Sequence, residues 1–387
     1  MQYRKFGNID WETSVLGFGC MRLPTIGGDS GKIDQEKTNE MIWHAIEGGV
    51  NYFDTAYVYH KEQSETALGV ALANGYRDKV RIATKLPIWK VQGTDDFDRM
   101  LNEELERLQS DVIDFYLMHA LDAASWEKVQ KLELLKKAEN AIADGRIRHV
   151  GFSFHDALPI FKDIVDGYDK WTFCQIQYNY MDIAYQAGKA GLQYASDKGL
   201  AVVIMEPLRG GKLAADLPAA TPLWQSADNQ RTPADWAFQW IWNQPEVNVV
   251  LSGMSTLQQV EENLQSADRS HVASLDEEEL RLIERVRDTL SGLSPIDCTN
   301  CEYCLPCPEG VNIPRVFDYY NRIAVYDDIK GTRESYARLF DTDEKADQCI
   351  QCEECVPKCP QNILISEWMP VIDSVLENNQ PYQKQLN

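Results

Sequence analysis

From Val15 to about Ala267, short β-rich runs alternate with helical stretches of ten to twenty residues. The runs that read as strands are Val15–Gly19, Asn51–Asp54, Val80–Thr84, Val112–Met118, Ile147–Phe152, Phe173–Gln177, Ala201–Met205 and Asn248–Leu251. Between them, amphipathic spacing predicts helices over Gln35–Ile46, Ser64–Ala73, Asp95–Leu108, Trp126–Ala143, Ala190–Asp197, Thr232–Asn243 and Thr256–Gln265. Lys198-Gly199 supplies a stop signal ahead of Ala201. Eight β–α units is the count that closes a parallel barrel. An opening hairpin, Tyr3–Phe6 with Glu12–Val15, is expected to cap the barrel's N-terminal end. A last helix, Asp276–Leu290, precedes the break Gly292-Leu293-Ser294-Pro295. The boundary is placed there, giving a barrel over 1–292 and a second domain over 293–387. Helices over Val316–Tyr326 and Arg333–Phe340 fall inside that domain, which runs to about Trp368, and the polar tail from Pro381 reads as loose. The alternative is an open doubly wound sheet. No strand, however, leads into a G-x-G-x-x-G turn, because Gly17-Phe18-Gly19 lacks both the third glycine and a following helix. The expected class is α/β, a (β/α)₈ TIM barrel followed by a partly helical C-terminal domain, which its eight cysteines between Cys298 and Cys359 mark as ferredoxin-like.

Cysteine changes the picture most. Eight of the ten cysteines fall between Cys298 and Cys359, in two groups each closed by proline. The second, Cys349, Cys352, Cys355, Cys359 and Pro360, has the C-x₂-C-x₂-C-x₃-C-P spacing of a bacterial [4Fe–4S] site. The first, Cys298, Cys301, Cys304, Cys307 and Pro308, is one residue short before its last cysteine. Disulfides would need an oxidising compartment, and Met1-Gln2-Tyr3-Arg4-Lys5 leads into no signal-peptide core. Structural zinc is the stronger competitor, but zinc sites favour two pairs of ligands across a longer spacer. In two-cluster ferredoxins the fourth cysteine ligates the other cluster. That pattern assigns Cys298, Cys301, Cys304 and Cys359 to one cluster and Cys349, Cys352, Cys355 and Cys307 to the other.

Charge narrows the partners. A formal net charge of −22 argues against nucleic acid, whose phosphates call for Lys/Arg surfaces. No apolar run approaches the ~18 residues of a membrane span. Reduced cysteines and clusters point to the cytoplasm.

In a parallel barrel, functional groups gather at the C-terminal ends of the strands. Asp54 closes the second strand, Lys85 the third and His119 the fourth, with Tyr59 five residues after Asp54. Each alone is most often a cap or the first solvated residue. Together on three neighbouring strands they make a candidate catalytic group. Trp89, His60 and His155 follow strand ends and are candidates for the pocket mouth. Trp236, Trp240 and Ile241 read as barrel packing, and Cys20 and Cys174 as buried or pocket-lining thiols.

The Asp54-Thr55-Ala56-x-x-Tyr59 motif, Lys85, His119 and the segment Gly253 to Asn263 resemble the aldo-keto reductase superfamily over about residues 1–290. With the cysteine domain, the whole chain is similar to iron–sulfur aldo-keto reductases of bacteria and archaea. The resemblance implies hydride delivery from NADP or NAD to a carbonyl, with Tyr59 as proton donor. Lys85 would lower the Tyr59 pKa, Asp54 would hold Lys85, and His119 would orient the substrate oxygen. Tyr57 is the competing phenol but lies off the motif's position. The resemblance further implies Ser153 and Gln175 at the nicotinamide amide and Met205 where an aromatic usually stacks. Pro207 and Leu208 fall by the pyrophosphate, and Gly253, Met254, Ser255, Gln259, Glu262 and Asn263 at the 2′-phosphate end. Gln259 stands where an Arg is common, and the backbone N–H groups of Gly253–Ser255 are candidate phosphate donors.

The expected function is an oxidoreductase acting on an aldehyde, ketone or alcohol, coupled to electron transfer through two [4Fe–4S] clusters. Hydride transfer moves two electrons and such a cluster one, so a flavin or a separate half-reaction would mediate, although no flavin motif is visible. A protein electron donor or acceptor is the expected partner. The alternative is a non-catalytic redox-sensing or docking subunit.

Overall fold

The structure is a computed structural model that describes residues 1–298, 303–359 and 361–386. Ten strands form in chain order: β1 (Tyr3–Lys5), β2 (Glu12–Ser14), β3 (Leu16–Gly19), β4 (Tyr52–Asp54), β5 (Arg81–Pro87), β6 (Ile113–Leu121), β7 (Ile147–Phe154), β8 (Phe173–Gln177), β9 (Ala201–Met205) and β10 (Val249–Ser252). β1 and β2 pair antiparallel, and β3 to β10 close a parallel barrel in which β10 returns to β3. Among the described residues seven helices precede β9: α1 (Gln35–Glu47), α2 (Ser64–Ala71), α3 (Asp96–Leu108), α4 (Ala123–Lys131), α5 (Leu134–Ala143), α6 (Leu158–Asp166) and α7 (Gly188–Asp197). They are followed by the short α8 (Thr221–Gln225), then α9 (Pro233–Trp242), α10 (Leu257–Asp268) and α11 (Glu277–Ser291). The remaining helices are α12 (Ile313–Tyr326), α13 (Ile329–Leu339) and α14 (Ile365–Leu376).

By internal contacts the chain divides into Met1–Ala215 with Arg231–Leu280, and Asp216–Gln230 with Arg281–Asn387. In the first unit, helix starts follow local capping chemistry. Asp34, Asp122, Thr232 and Thr256 each accept a backbone N–H in the first turn of α1, α4, α9 and α10. The hairpin delivers Phe6 into the N-terminal end of the barrel, where it meets Tyr52, Phe115 and Phe173 with ring centroids 4.7–5.9 Å apart. Ala83, Leu117, Val203 and Val249 complete this apolar plug. One end of the bore is therefore filled by side chains, which leaves the strands' C-terminal ends to carry polar groups. Gly151 on β7 makes room for its neighbour: a Cβ there would fall 2.5 Å from the Phe173 ring and 2.6 Å from its carbonyl oxygen.

The second unit has its own core, in which Val316, Phe317, Tyr320, Tyr336, Met369 and Ile372 are buried. Three expectations are corrected. The helix expected over Trp126–Ala143 is two helices, broken where Glu133 takes a left-handed φ of 51°. The chain past Trp368 stays helical through Leu376 despite Pro370, burying Val375 and Leu376. The tail from Pro381 is held: Tyr320 donates to the Gln383 carbonyl at 2.7 Å, and Tyr382 and Leu386 pack on the core.

Candidate functional site

Parallel register brings the strand ends level, with Gly19 opposite Asp54, Pro87 opposite His119 and Ser153 opposite Gln175. Lys85 points into the bore and is fully buried. Its ammonium donates to Asp54 Oδ1 at 2.5 Å, to the Thr55 carbonyl at 2.7 Å and to Tyr59 Oη at 3.4 Å. Gln175 Nε2 donates to the other Asp54 oxygen at 3.1 Å, so the carboxylate is held from two sides. Burial works against the Lys85 charge, but Asp54 and Tyr59 outweigh it and keep the ammonium's pKa above its ordinary value. Burial pushes the Asp54 carboxyl up, and Lys85 and Gln175 oppose that push. An unpaired charge in this setting would be very costly, so the two groups hold each other ionised.

Tyr59 is half-buried and precedes three left-handed residues, His60, Lys61 and Glu62, with φ of 51°, 52° and 71°. His60 pins this turn by accepting the Leu23 N–H on Nε2 at 3.1 Å, which leaves Nδ1–H to donate to the Ser30 carbonyl at 2.9 Å. His60 thus braces the loop, while its expected place was the pocket mouth. Strain of this kind persists only where surrounding contacts over-determine it, and here it sets the phenol over Lys85. The net direction of the Tyr59 pKa differs from the expectation: burial raises it, and Lys85 acts against that rise without reversing it. The phenol consequently stays protonated at neutral pH. Tyr57 is excluded as the competitor, since its hydroxyl donates to Glu103 at 2.6 Å and its ring lies under Arg107.

His119 completes the group. Its ring is edge-on to Tyr59 at 6.0 Å and packs on Trp89 at 5.0 Å. Burial, then Lys85 and His155, hold its pKa well below the usual range, so the imidazole is neutral. Among the described residues its buried Nδ1 has no partner. Trp89 is 54% exposed and forms the outer wall beside it. Cys20 and Cys174 are fully buried, and burial raises both thiols, which removes them as nucleophiles.

The residues expected at a dinucleotide lie on the same rim. Ser153 Oγ accepts the Ala120 N–H at 2.7 Å, and half-buried Met205 ends β9 opposite Gln177. Asn263 Nδ2 donates to Ser252 Oγ at 2.9 Å. Gln259 is committed locally, accepting the Ser255 N–H at 2.8 Å, so that donor is already used. Sequence reasoning missed the Gln175–Asp54 bond and the Thr55 carbonyl, because neither backbone direction nor cross-strand register is written in residue types.

In the second unit, Cys304, Cys307, Cys349, Cys352 and Cys355 line one cavity with Pro308, Ile313 and Met369. Burial raises Cys349 and Cys355, and the charges of Cys307 and Cys352 add to the rise on both. Thiols this close would ionise together only against a shared cationic centre. Among the described residues, no three His, Cys, Asp or Glu side chains converge on a single metal ion. A tetrahedral zinc needs four sulfurs within about 2.3 Å of one point. Five cysteines around one cavity suit a sulfur-ligated metal group. Cys298 and Cys359 are half-buried on the same core, and Cys301 and Pro360 lie outside the described residues.

An eight-stranded parallel barrel with this mouth, joined in one chain to a cysteine-lined domain, is an oxidoreductase barrel with an iron–sulfur module. More particularly, the chain belongs to the aldo/keto reductase family, whose model matches residues 15–288, and residues 297–364 match the 4Fe-4S dicluster domain. Among curated relatives it is 26% identical to a probable aldo-keto reductase 1 of Glycine max, over 72% of this chain and 87% of that one. It is also 26% identical to the L-galactose dehydrogenase of Arabidopsis thaliana, over 76% and 97%. A solved aldo-keto reductase of Bacillus halodurans in its holo form superposes with a TM-score of 0.61 at 25% identity, covering 74% of this chain and 96% of that one. An aldo-keto reductase of Klebsiella pneumoniae in complex with NADPH gives 0.59 at 22% identity with the same coverage, a likeness of fold. Among the described residues no helix is long and apolar enough to cross a membrane.

Proposed function

We propose that this chain reduces an aldehyde or ketone with NADPH or NADH, or oxidises the corresponding alcohol, with Tyr59 as the acid. One observation carries the reading: the Lys85 ammonium, fully buried, hydrogen-bonds both the Asp54 carboxylate and the Tyr59 hydroxyl. When bound, the nicotinamide supplies a hydride and the iron–sulfur clusters supply single electrons. Tyr59 Oη would donate its proton to the carbonyl oxygen, and Lys85 would stabilise the phenolate left behind. Neutral His119, whose buried Nδ1 has no partner among the described residues, would hydrogen-bond the substrate through a ring nitrogen and fix its angle. Trp89 would shield the reacting atoms on the open side.

Ser153, Gln175 and Met205 would hold the nicotinamide end, and Pro207, Leu208 and Gly253–Ser255 the phosphates, with Gln259, Glu262 and Asn263 at the far end. The cavity that Cys307, Cys349, Cys352 and Cys355 line, together with Cys304, would place those four on one cluster. Cys298, Cys301, Cys304 and Cys359 would take a second. A protein electron donor or acceptor would dock on that domain, and a cytoplasmic setting would keep the thiols reduced. The domain boundary would fall near residue 292, at the Gly-Leu-Ser-Pro break, although internal contacts group Arg281 onward with the second unit.

The test uses the full chain purified without oxygen, given NADPH or NADH and a panel of aldehydes, ketones and quinones. Nucleotide oxidation that depends on a carbonyl is expected. Nucleotide binding without turnover on any carbonyl, together with tight capture of a protein partner, would instead indicate a docking subunit.

A further inference from the structure

We infer that Arg22 is the cation that clamps a phosphate of the bound dinucleotide, in the role Gln259 does not fill. The inference rests on the dinucleotide reading of the barrel mouth given above. Arg22 follows β3 in a short 3₁₀ turn, Cys20–Arg22, on the first strand end of the barrel. Its carbonyl accepts the Ser255 hydroxyl at 2.7 Å, which ties this turn to the loop after β10. Its stem lies flat over Gly253: a Cβ built on that glycine would sit 3.1, 3.3 and 3.4 Å from Arg22 Cδ, Cγ and Cβ. Its Nη2 reaches the loop after β9, ending 3.3 Å from where a Gly210 Cβ would stand. The guanidinium thus spans the two loops proposed to hold the phosphates.

Two of the local backbone donors are taken. The Ser255 N–H goes to Gln259 Oε1 at 2.8 Å, and the Gln259 N–H goes to Thr256 Oγ1 at 3.3 Å. Arg209, on the β9 loop, is engaged with buried Asp182 at 3.2 Å. Among the described residues, no hydrogen bond or ion pair engages the Arg22 guanidinium, although the Glu206 carboxylate lies 3.8 Å from the same Gly210 point. A planar fork with five donors, exposed at its tip and with its stem braced on a glycine, is shaped for a phosphate oxygen pair. The Gly253 surface matters because any side chain there would lift the stem away.

Tryptophan-fluorescence titrations of NADPH and NADH against wild type, Arg22→Ala and Arg22→Lys test the assignment, with iron content and unliganded melting temperature as controls. Arg22 is exposed, so the unliganded variants are expected to match wild type. Loss of a charge-assisted bond should weaken Arg22→Ala by about tenfold or more, with Arg22→Lys recovering part of the affinity. Equal loss for both nucleotides places Arg22 on the bridging diphosphate, and loss for NADPH alone places it on the 2′-phosphate. Either result supports the clamp. Unchanged affinity for both nucleotides in Arg22→Ala overturns it. If wild type itself binds neither, the dinucleotide reading fails before the question of Arg22 arises.

Discussion

Lys85 Nζ stands 3.4 Å from Tyr59 Oη, and the same ammonium is anchored to Asp54 from below. The phenol therefore has one fixed positive neighbour while burial keeps it protonated. Proton donation from a protonated group is lost as pH rises through its pKa, and burial has moved that pKa upward. His119 is already neutral through the physiological range, since its pKa is depressed. Carbonyl reduction should accordingly run level from about pH 6 to 8 and fall only on the alkaline side, near or beyond the usual phenol value of about 10. Alcohol oxidation, which needs the phenolate, should rise over that same alkaline range. A pH–rate profile with an inflection between about 6 and 7 would mean that a charged imidazole takes part.

Glu65 on α2 and Glu104 on α3 form a buried acidic pair, both wholly inaccessible. Glu65 accepts from Thr84 at 2.6 Å and pairs with Arg107 at 3.3 Å, whereas ionised Glu104 would draw on the Tyr116 hydroxyl with no ion pair of its own among the described residues. Burial, reinforced by the Glu65 charge, raises Glu104 well above the ordinary range, so the folded state keeps its proton. Between the unfolded and the folded pKa the folded chain binds more protons, so this group costs stability progressively as pH rises. Glu104→Gln should melt higher than wild type at pH 8 and close to it near pH 4.5, read by thermal unfolding at both values.

Gly151 lies against the Phe173 ring and carbonyl, with a virtual Cβ within 2.6 Å of both. Because the clash includes backbone, a side-chain rotation cannot relieve it. Gly151→Ala should destabilise by about 1–3 kcal/mol, measured by denaturant midpoint on the intact chain. A variant as stable as wild type would show that β7 and β8 can separate at no cost.

Much of this arrangement is legible in the residue order. Phe173–Gln177 and Ala201–Met205 emerge with the expected ends, because dense apolar runs bounded by turn signals mark buried parallel strands. Asp54 ends β4 as counted, whereas β5 and β6 run two residues past Lys85 and His119, and all three still converge with Tyr59. The misses have physical causes. α6 spans only nine residues and opens with Pro159, which suits a first helical turn but reads as a break. Pro370 hid the continuation of α14 in the same way. Glu133 splits α4 from α5 through a left-handed backbone that its side chain does not announce. Arg22 carried no signal at all, since its proposed role depends on Gly253 and Gly210, more than a hundred residues away in the loops after β10 and β9.

Cys307 belongs to the first cysteine group in sequence, yet it lines the cavity with Cys349, Cys352 and Cys355. If these four hold one cluster, Cys307→Ala and Cys352→Ala should each remove about one cluster's iron. The double variant should lose no more than either single one, by iron analysis and electron paramagnetic resonance of the reduced protein. Additive loss would assign Cys307 to the other cluster.

The most direct measurement of the central claim is single-turnover carbonyl reduction by Tyr59→Phe against wild type, at matched iron content and matched nucleotide affinity. Removing a general acid should lower the rate about 10²- to 10⁴-fold while the cluster spectrum and nucleotide binding stay as they were. A Tyr59→Phe protein that reduces its carbonyl at the wild-type rate would contradict the account, because the proton would then come from elsewhere.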